Sequence, residues 1–164
     1  MDKTALEKAM QTVYNVIPEF NETYVKPPFD FLVRVALLLG SEEALWGSMQ
    51  TGDDEAIVEA VVFSETRVVH ALRADDQLSV RAFRRNDLTD LAIDGVGAEE
   101  FRNDWVTTWP GSPRLTATYR NGAVLRLPMF RGTLTQPIRR HFDSFFPQLV
   151  QDLTPGRDHD TTTE

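Results

Sequence analysis

The residues of this chain that could do chemistry are three histidines and a few clustered carboxylates. The sequence contains no cysteine. His70, His141 and His159 each lack a second histidine or a carboxylate at the i,i+4 spacing that joins two metal ligands on one helix face. The run Asp158-His159-Asp160 would hold a metal only weakly, and its polar surroundings favour a solvated tail. The absence of cysteine excludes a disulfide scaffold and thiol catalysis. We therefore expect no metal, no cofactor and no enzymatic activity.

The other motifs with chemical potential are short and incomplete. Asp94-Gly95-Val96-Gly97 has two glycines but neither the third glycine nor the helix start of a phosphate-binding loop. The pairs Glu99-Glu100 and Asp75-Asp76 lie in predicted turns, where carboxylates are usually solvated. His70 lies in a predicted strand and is expected on its face. An active site built from residues distant in sequence stays open as an alternative.

Two groups of side chains could instead bind a partner. Trp105 and Trp109 share one face if their segment is extended, and tryptophan pairs can anchor a protein interface, although core packing is the alternative. Four arginines could form a basic patch if the C-terminal helix packs near the strand end that carries two of them; otherwise they are solvated and paired with carboxylates. These candidate binding residues are Arg84, Arg85, Arg139 and Arg140.

Composition limits the class of partner. The 164 residues carry a net charge of -8, and residues 1–60 hold 4 basic and 11 acidic side chains, a net of -7. An acidic surface argues against nucleic acid, whose phosphates need cationic side chains. The most apolar run, Phe29–Leu39, contains two charges and is far shorter than the roughly 20 residues that cross a bilayer. With no secretory signal visible, we expect a cytoplasmic protein of one domain.

The N-terminal part of the sequence has helical periodicity. Apolar residues at helical spacing predict a first amphipathic helix that ends at Pro18. Phe29–Leu39 reads as a second buried helix, with Asp30 and Arg34 spaced for an ion pair and Gly40 as its C-cap, although a buried strand is the open alternative. Strand signals separated by turns follow, and they predict successive antiparallel hairpins over residues 44–50, 56–64, 67–73 and 78–84 and further strands over residues 87–94 and 104–109.

The register of the last hairpin follows from its turn, Arg120-Asn121-Gly122. A two-residue loop would mix apolar and polar residues on both faces, whereas a three-residue loop pairs Tyr119 with Ala123 and makes one face wholly apolar. We therefore predict the three-residue loop with Gly122 in the left-handed conformation. The expected pairs are Ala117 with Leu125 and Leu115 with Leu127, and the expected outer face is Arg114, Thr116, Thr118, Val124 and Arg126.

A C-terminal helix is predicted from residue 135 to residue 153. Thr135 is its expected N-cap, Pro137 lies near its first turn, and its apolar face carries three phenylalanines. Pro147 removes a backbone hydrogen bond and is expected to kink or split this helix. Residues 154–164 are expected to form a disordered tail.

The order of these elements resembles the pleckstrin-homology (PH) superfold, in which antiparallel strands are followed by one C-terminal helix. Residues 60–69, AVVFSETRVV, are similar to the second hairpin of bacterial PH-like domains, and residues 81–88, RAFRRNDL, resemble the next sheet segment. The resemblance covers about residues 42–153. It implies an α+β fold, with a bent antiparallel sheet or partial barrel of six to seven strands closed by the C-terminal helix, after one or two N-terminal helices. The expected division is a helical extension over 1–40, a PH-like domain over 41–153 and the tail.

The resemblance also implies a non-enzymatic module that binds a protein, a peptide or a lipid headgroup. Phosphoinositide binding needs basic residues in the first hairpin, but this hairpin carries Asp53, Asp54 and Glu55, so a protein partner is expected. A second hypothesis is an acidic chaperone-like or assembly protein that dimerises and binds a client chain. A third is a small ligand in the cavity of the sheet.

Overall fold

The computed structural model describes residues 1–22, 26–95, 114–129 and 136–153. Helices α1 (Lys3–Val16), α2 (Glu19–Glu22) and α3 (Phe29–Leu39) precede seven strands, and α4 (Gln136–Asp152) follows them. The strands are β1 (Trp46–Thr51), β2 (Ile57–Phe63), β3 (Arg67–Ala74), β4 (Gln77–Arg84), β5 (Leu88–Gly95), β6 (Arg114–Tyr119) and β7 (Val124–Leu127), with a 3₁₀ turn at Arg85–Asp87. The strand predicted over 104–109, the Thr135 cap and the tail lie outside the described residues.

The strands form two antiparallel sheets. One has the order β1-β2-β3-β4 and the other has the order β5-β6-β7, so each sheet is a meander of neighbouring hairpins. The predicted α+β class, with six to seven antiparallel strands between N-terminal helices and a C-terminal helix, is confirmed; in the described residues the seven strands form two sheets that do not close into a barrel.

The register predicted for the last hairpin is confirmed. Leu115 pairs with Leu127 and Ala117 with Leu125, and the N–H of Tyr119 donates to the carbonyl of Ala123 at 2.9 Å. Gly122 has a φ of +83°, the left-handed conformation that its position requires. Residues on the inner face are buried and those on the outer face are half-buried or exposed, as the alternation demands.

The stretch Phe29–Leu39, left open between helix and strand, is a helix. Asp30 and Arg34 form the predicted ion pair, with Arg34 Nε 3.0 Å from Asp30 Oδ2. The N–H of Gly40 donates to the carbonyl of Ala36, and Gly40 has a φ of +67°, so it ends the helix as predicted. A nearly all-apolar helix is stable here because α3 buries one side on the sheet and on α1.

The four-stranded sheet separates two cores. On one face, which we call the helix–sheet core, α1 and α3 pack on Met49, Ala60, Val62, Val69 and Ala71. Gly47 permits this contact, because a Cβ at that position would lie 2.7 Å from Cγ1 of Ile17. The residues of the N-terminal helices therefore share a core with the sheet.

The opposite face, which we call the sheet–sheet core, packs on the second sheet and on α4. Trp46 stacks on Phe145 of α4 with ring centroids 4.9 Å apart and parallel planes, and Phe63 contacts the same ring. Helix α4 is continuous from Gln136 to Asp152, so Pro147 does not split it, and the kink that was the predicted alternative stays a prediction. Pro147 is exposed, which keeps its ring out of this core.

Candidate functional site

A groove of about 610 Å³ lies between α1 and the connection from α3 to β1. One wall is the side of α1 that carries Ala5, Ala9 and Thr12, whose small side chains leave room at helical spacing. The other wall is formed by residues 40–44, which the left-handed Gly40 turns away from α3. Lys8 stands on the α1 side. The groove can admit an apolar side chain, because its lining is mainly apolar.

Carboxylates line the wall formed by residues 40–44. Glu43 is exposed, while Glu42 accepts hydrogen bonds from the hydroxyls of Ser64 (2.6 Å) and Thr66 (2.7 Å) and lies 3.0 Å from Nε of Arg67. Burial alone would raise the pKa of Glu42, but these hydrogen bonds and the arginine charge hold it below its ordinary value. Glu42 is therefore fixed and ionised, and its negative charge is paired with the positive charge of Arg67 beside the groove.

The rest of this half of the molecule is also acidic. Asp53, Asp54 and Glu55 are exposed in the hairpin that joins β1 to β2. The net charge of -7 on residues 1–60 is thus carried partly by the groove and partly by this hairpin. A surface of this kind attracts cationic groups and repels phosphates.

The four arginines predicted as a basic patch do not come together. Arg85 is buried beneath α4: its guanidinium donates to both carboxylate oxygens of Asp152 at 3.0 Å and to the carbonyl of Ser64 at 2.8 Å, and it lies 5.5 Å from the Phe145 ring centre. Burial raises the pKa of Asp152 despite the charge and hydrogen bonds of Arg85. This pair anchors the end of α4 to the sheets.

The other predicted binding residues lie elsewhere. Arg84 is exposed at the end of β4. Arg139 and Arg140 belong to the start of α4, and a helix rises about 1.5 Å per residue, so roughly 20 Å separates them from the end that Arg85 contacts. Trp105 and Trp109 lie outside the described residues. The six candidates therefore remain predictions, and no single surface unites the four arginines.

A second concavity of about 520 Å³ lies where β1 and β2 approach the end of β7. Glu59, Asp94, Arg114 and Arg126 line it, so acidic and basic side chains are mixed there. Behind Glu59, the buried ring of His70 places Nε2 2.8 Å from Glu59 Oε1. His70 does not line the cleft, so we assign it to the sheet face as predicted.

Sequence patterns did not predict a buried carboxyl in the link between α1 and α3. Glu19 is 1% exposed, and its Oε1 accepts from the Ser48 hydroxyl at 2.6 Å and from the N–H of Met49 at 3.3 Å. The same hydroxyl accepts from the N–H of Met129 at 2.9 Å, so Ser48 joins α2, β1 and the segment after β7. Burial raises the pKa of Glu19 to about 7, against the opposing effect of these hydrogen bonds.

Within residues 1–22, 26–95, 114–129 and 136–153, no three histidine, aspartate or glutamate side chains are grouped so that they could hold a metal ion. The helices of this part of the chain are all too short or too polar to span a bilayer.

The class that these observations define is an α+β protein of two antiparallel sheets with a layer of N-terminal helices. No protein-family model matches the chain, and no curated protein matches it. Among solved structures, it is similar to a chain in the complex of PDZ-RhoGEF DH/PH domains with GTP-γ-S-activated RhoA, with a TM-score of 0.38 and 12% sequence identity. The match covers 91% of this chain and 39% of the other, so this chain spans less than half of that length.

Proposed function

We propose that this chain is a non-enzymatic PH-like module that binds a protein segment with basic and apolar side chains in the groove between α1 and residues 40–44. The order of elements supports the PH-like assignment: a four-stranded meander is followed by a three-stranded one and by a C-terminal helix that packs between them. The acidic first hairpin argues against phosphoinositides, because their phosphates need fixed cations.

The observation that carries the proposal is the groove itself. It combines a mainly apolar lining with the exposed carboxylate of Glu43 and the ionised carboxylate of Glu42. An apolar anchor in a concave site supplies most of the affinity of a peptide, and charges at the rim select its sequence. A peptide with an apolar side chain beside lysine or arginine fits both features.

A substitution that fills the groove tests this proposal. Ala5 is exposed on the groove side of α1, so Ala5→Phe should occupy the space without disturbing the core. Gln11 is exposed on the same helix but does not line the groove, and Gln11→Phe is the matched control. A random peptide library displayed on phage is selected against the wild-type chain, and the selected peptides are then titrated against both variants by fluorescence anisotropy.

We expect the selected peptides to be rich in arginine or lysine and to carry one large apolar residue. Ala5→Phe should weaken their binding by about tenfold or more, since the anchor loses its site, and Gln11→Phe should leave it unchanged. Selection of acidic peptides, or equal binding by both variants, would contradict the proposal.

One observation favours the second hypothesis, an acidic chaperone-like or assembly protein that dimerises and binds a client chain. Phe29 and Leu37 of α3 are 72% and 55% exposed, although the rest of that helix is largely buried. Contact with a second chain would remove the apolar surface of these two side chains from water. A strictly monomeric chain in sedimentation would argue against this alternative.

A further inference from the structure

Strand β4 is an open edge of the four-stranded sheet. In the described part of the chain, its only strand neighbour is β3. An open edge leaves unpaired backbone N–H and C=O groups, which can pair with another strand. Whether a given partner fits depends on which groups point outward and on the side chains that flank them.

The turn between β3 and β4 determines which backbone groups point outward. Ala74 pairs with Gln77 across a two-residue turn, and such a closing pair exchanges both of its hydrogen bonds. Alternation along the strand then turns the groups of Leu78, Val80 and Ala82 outward. Arg34 supports this direction, because its Nη1 donates to the carbonyl of Leu78 at 2.9 Å from outside the sheet.

The side chains along β4 are arranged so that the strand could pair with a second copy of itself. Leu78, Val80 and Ala82 form an apolar row on the side of α3, while exposed Arg84 ends the strand and exposed Asp76 precedes it in the turn from β3. These two charges are eight residues apart, about 26 Å along a strand, so they cannot contact each other within one chain.

From this pattern we infer that the chain forms a symmetric dimer through β4, with two copies of the strand paired antiparallel about an axis at Val80. In this register Val80 faces itself, and Leu78 faces Ala82 of the second copy. Arg84 of each copy then faces Asp76 of the other, which makes two intermolecular ion pairs. The apolar row becomes continuous across the two sheets, and the same patch serves both subunits.

The neighbouring registers lack this match. An axis at Arg81 would place two like charges directly opposite each other, which is destabilising. An axis at Ser79 would place Arg84 opposite Ala74. Arg34 does not block the preferred register, because the Leu78 carbonyl has a second lone pair for the N–H of the facing strand.

Charge reversal tests the inference on the full chain. Arg84→Glu and Asp76→Arg each turn two attractive pairs into two repulsive ones, and both residues are exposed, so the fold should persist. Sedimentation equilibrium should show a dimer of the wild-type chain, a dissociation constant raised about tenfold in each single variant, and recovery in the double variant Arg84→Glu/Asp76→Arg. A monomeric wild-type chain, or a double variant as weak as the singles, would overturn it.

Cysteine cross-linking tests the register separately, because the chain has no cysteine of its own. Val80→Cys should give a disulfide-linked dimer under mild oxidation, since its two Cα atoms would face each other about 5.5 Å apart. Ser79→Cys is the matched control: its two copies would be offset by two residues, about 7–8 Å apart, which is too far for a disulfide. Cross-linking of both variants alike would refute the register.

The dimer does not depend on the groove proposal. Neither Asp76 nor Arg84 lines the groove between α1 and residues 40–44, so peptides that bind there should bind the charge-reversal variants with unchanged affinity. Loss of dimerisation with intact peptide binding is the expected result. If no peptide bound in the groove, the dimer measured by sedimentation would still be expected.

Discussion

The buried carboxyl of Glu19 should make the stability of this protein depend on pH across the neutral range. Its pKa is about 7 in the folded state and 4.5 in the ordinary solvated state. A raised pKa means that the folded state binds the proton more tightly than the unfolded one. The stabilisation from this group is therefore complete below about pH 4.5 and is lost as the pH rises through 7.

The magnitude follows from the difference between the two pKa values. Each pKa unit corresponds to about 1.4 kcal/mol, so a shift from 4.5 to about 7 corresponds to about 3 kcal/mol of folding free energy. Glu19→Gln removes the titration while its amide oxygen can still accept from Ser48 and Met49. Relative to wild type, the free energy of unfolding of this variant should rise by about 3 kcal/mol between pH 4.5 and pH 8.

Urea unfolding at a series of pH values, followed by circular dichroism, measures this difference. Glu7→Gln is the control, because it makes the same change of side chain at an exposed position of α1. If the difference between Glu19→Gln and wild type changes by less than about 1 kcal/mol over this range, Glu19 is not the buried, proton-binding group that its environment indicates.

Two further substitutions test the packing that positions the groove and α4. Asp152→Ala should destabilise the fold by about 3 kcal/mol in urea unfolding, because Arg85 would remain buried without its carboxylate; a loss below about 1 kcal/mol would contradict this role. Gly47→Ala should lower the free energy of unfolding by about 1–3 kcal/mol, because the new methyl group meets Ile17. Gly95→Ala is the control, because its methyl group meets no atom within 4 Å. Equal effects of the two variants in thermal unfolding would count against a tight contact at Gly47.

Local patterns predicted much of this fold. The turn at Gly122 and the alternation on either side of it were sufficient for the register of the last hairpin, because face parity allowed only one apolar side. The ion pair of Asp30 with Arg34 followed from their i,i+4 spacing and the cap from the glycine at position 40, once Phe29–Leu39 is taken as a helix. These features depend on residues within a few positions of one another, so the sequence carries their signals directly.

The environments of Arg85 and Glu19 were not predicted, because distant segments of the chain form them. From the sequence, Arg85 would be expected on the surface. Asp152 and Phe145 surround it only because α4 packs over it. Glu19 follows a proline in a short link, and its burial depends on Ser48 and on a segment after β7. No periodicity in the sequence brings such residues together.

The two cores on opposite faces of one sheet have a consequence for how the sequence encodes strand register. In β2, Val61 and Phe63 enter the sheet–sheet core, while Ala60 and Val62 enter the helix–sheet core. A slip by one residue would therefore exchange apolar side chains between two buried faces instead of exposing them to water. Polarity does not distinguish the two registers, but side-chain volume does. Phe63 packs on the aromatic ring of Phe145 in the sheet–sheet core, and the helix–sheet core leaves no room for a side chain at Gly47. In this sheet the size of side chains, more than their hydrophobicity, specifies the pairing.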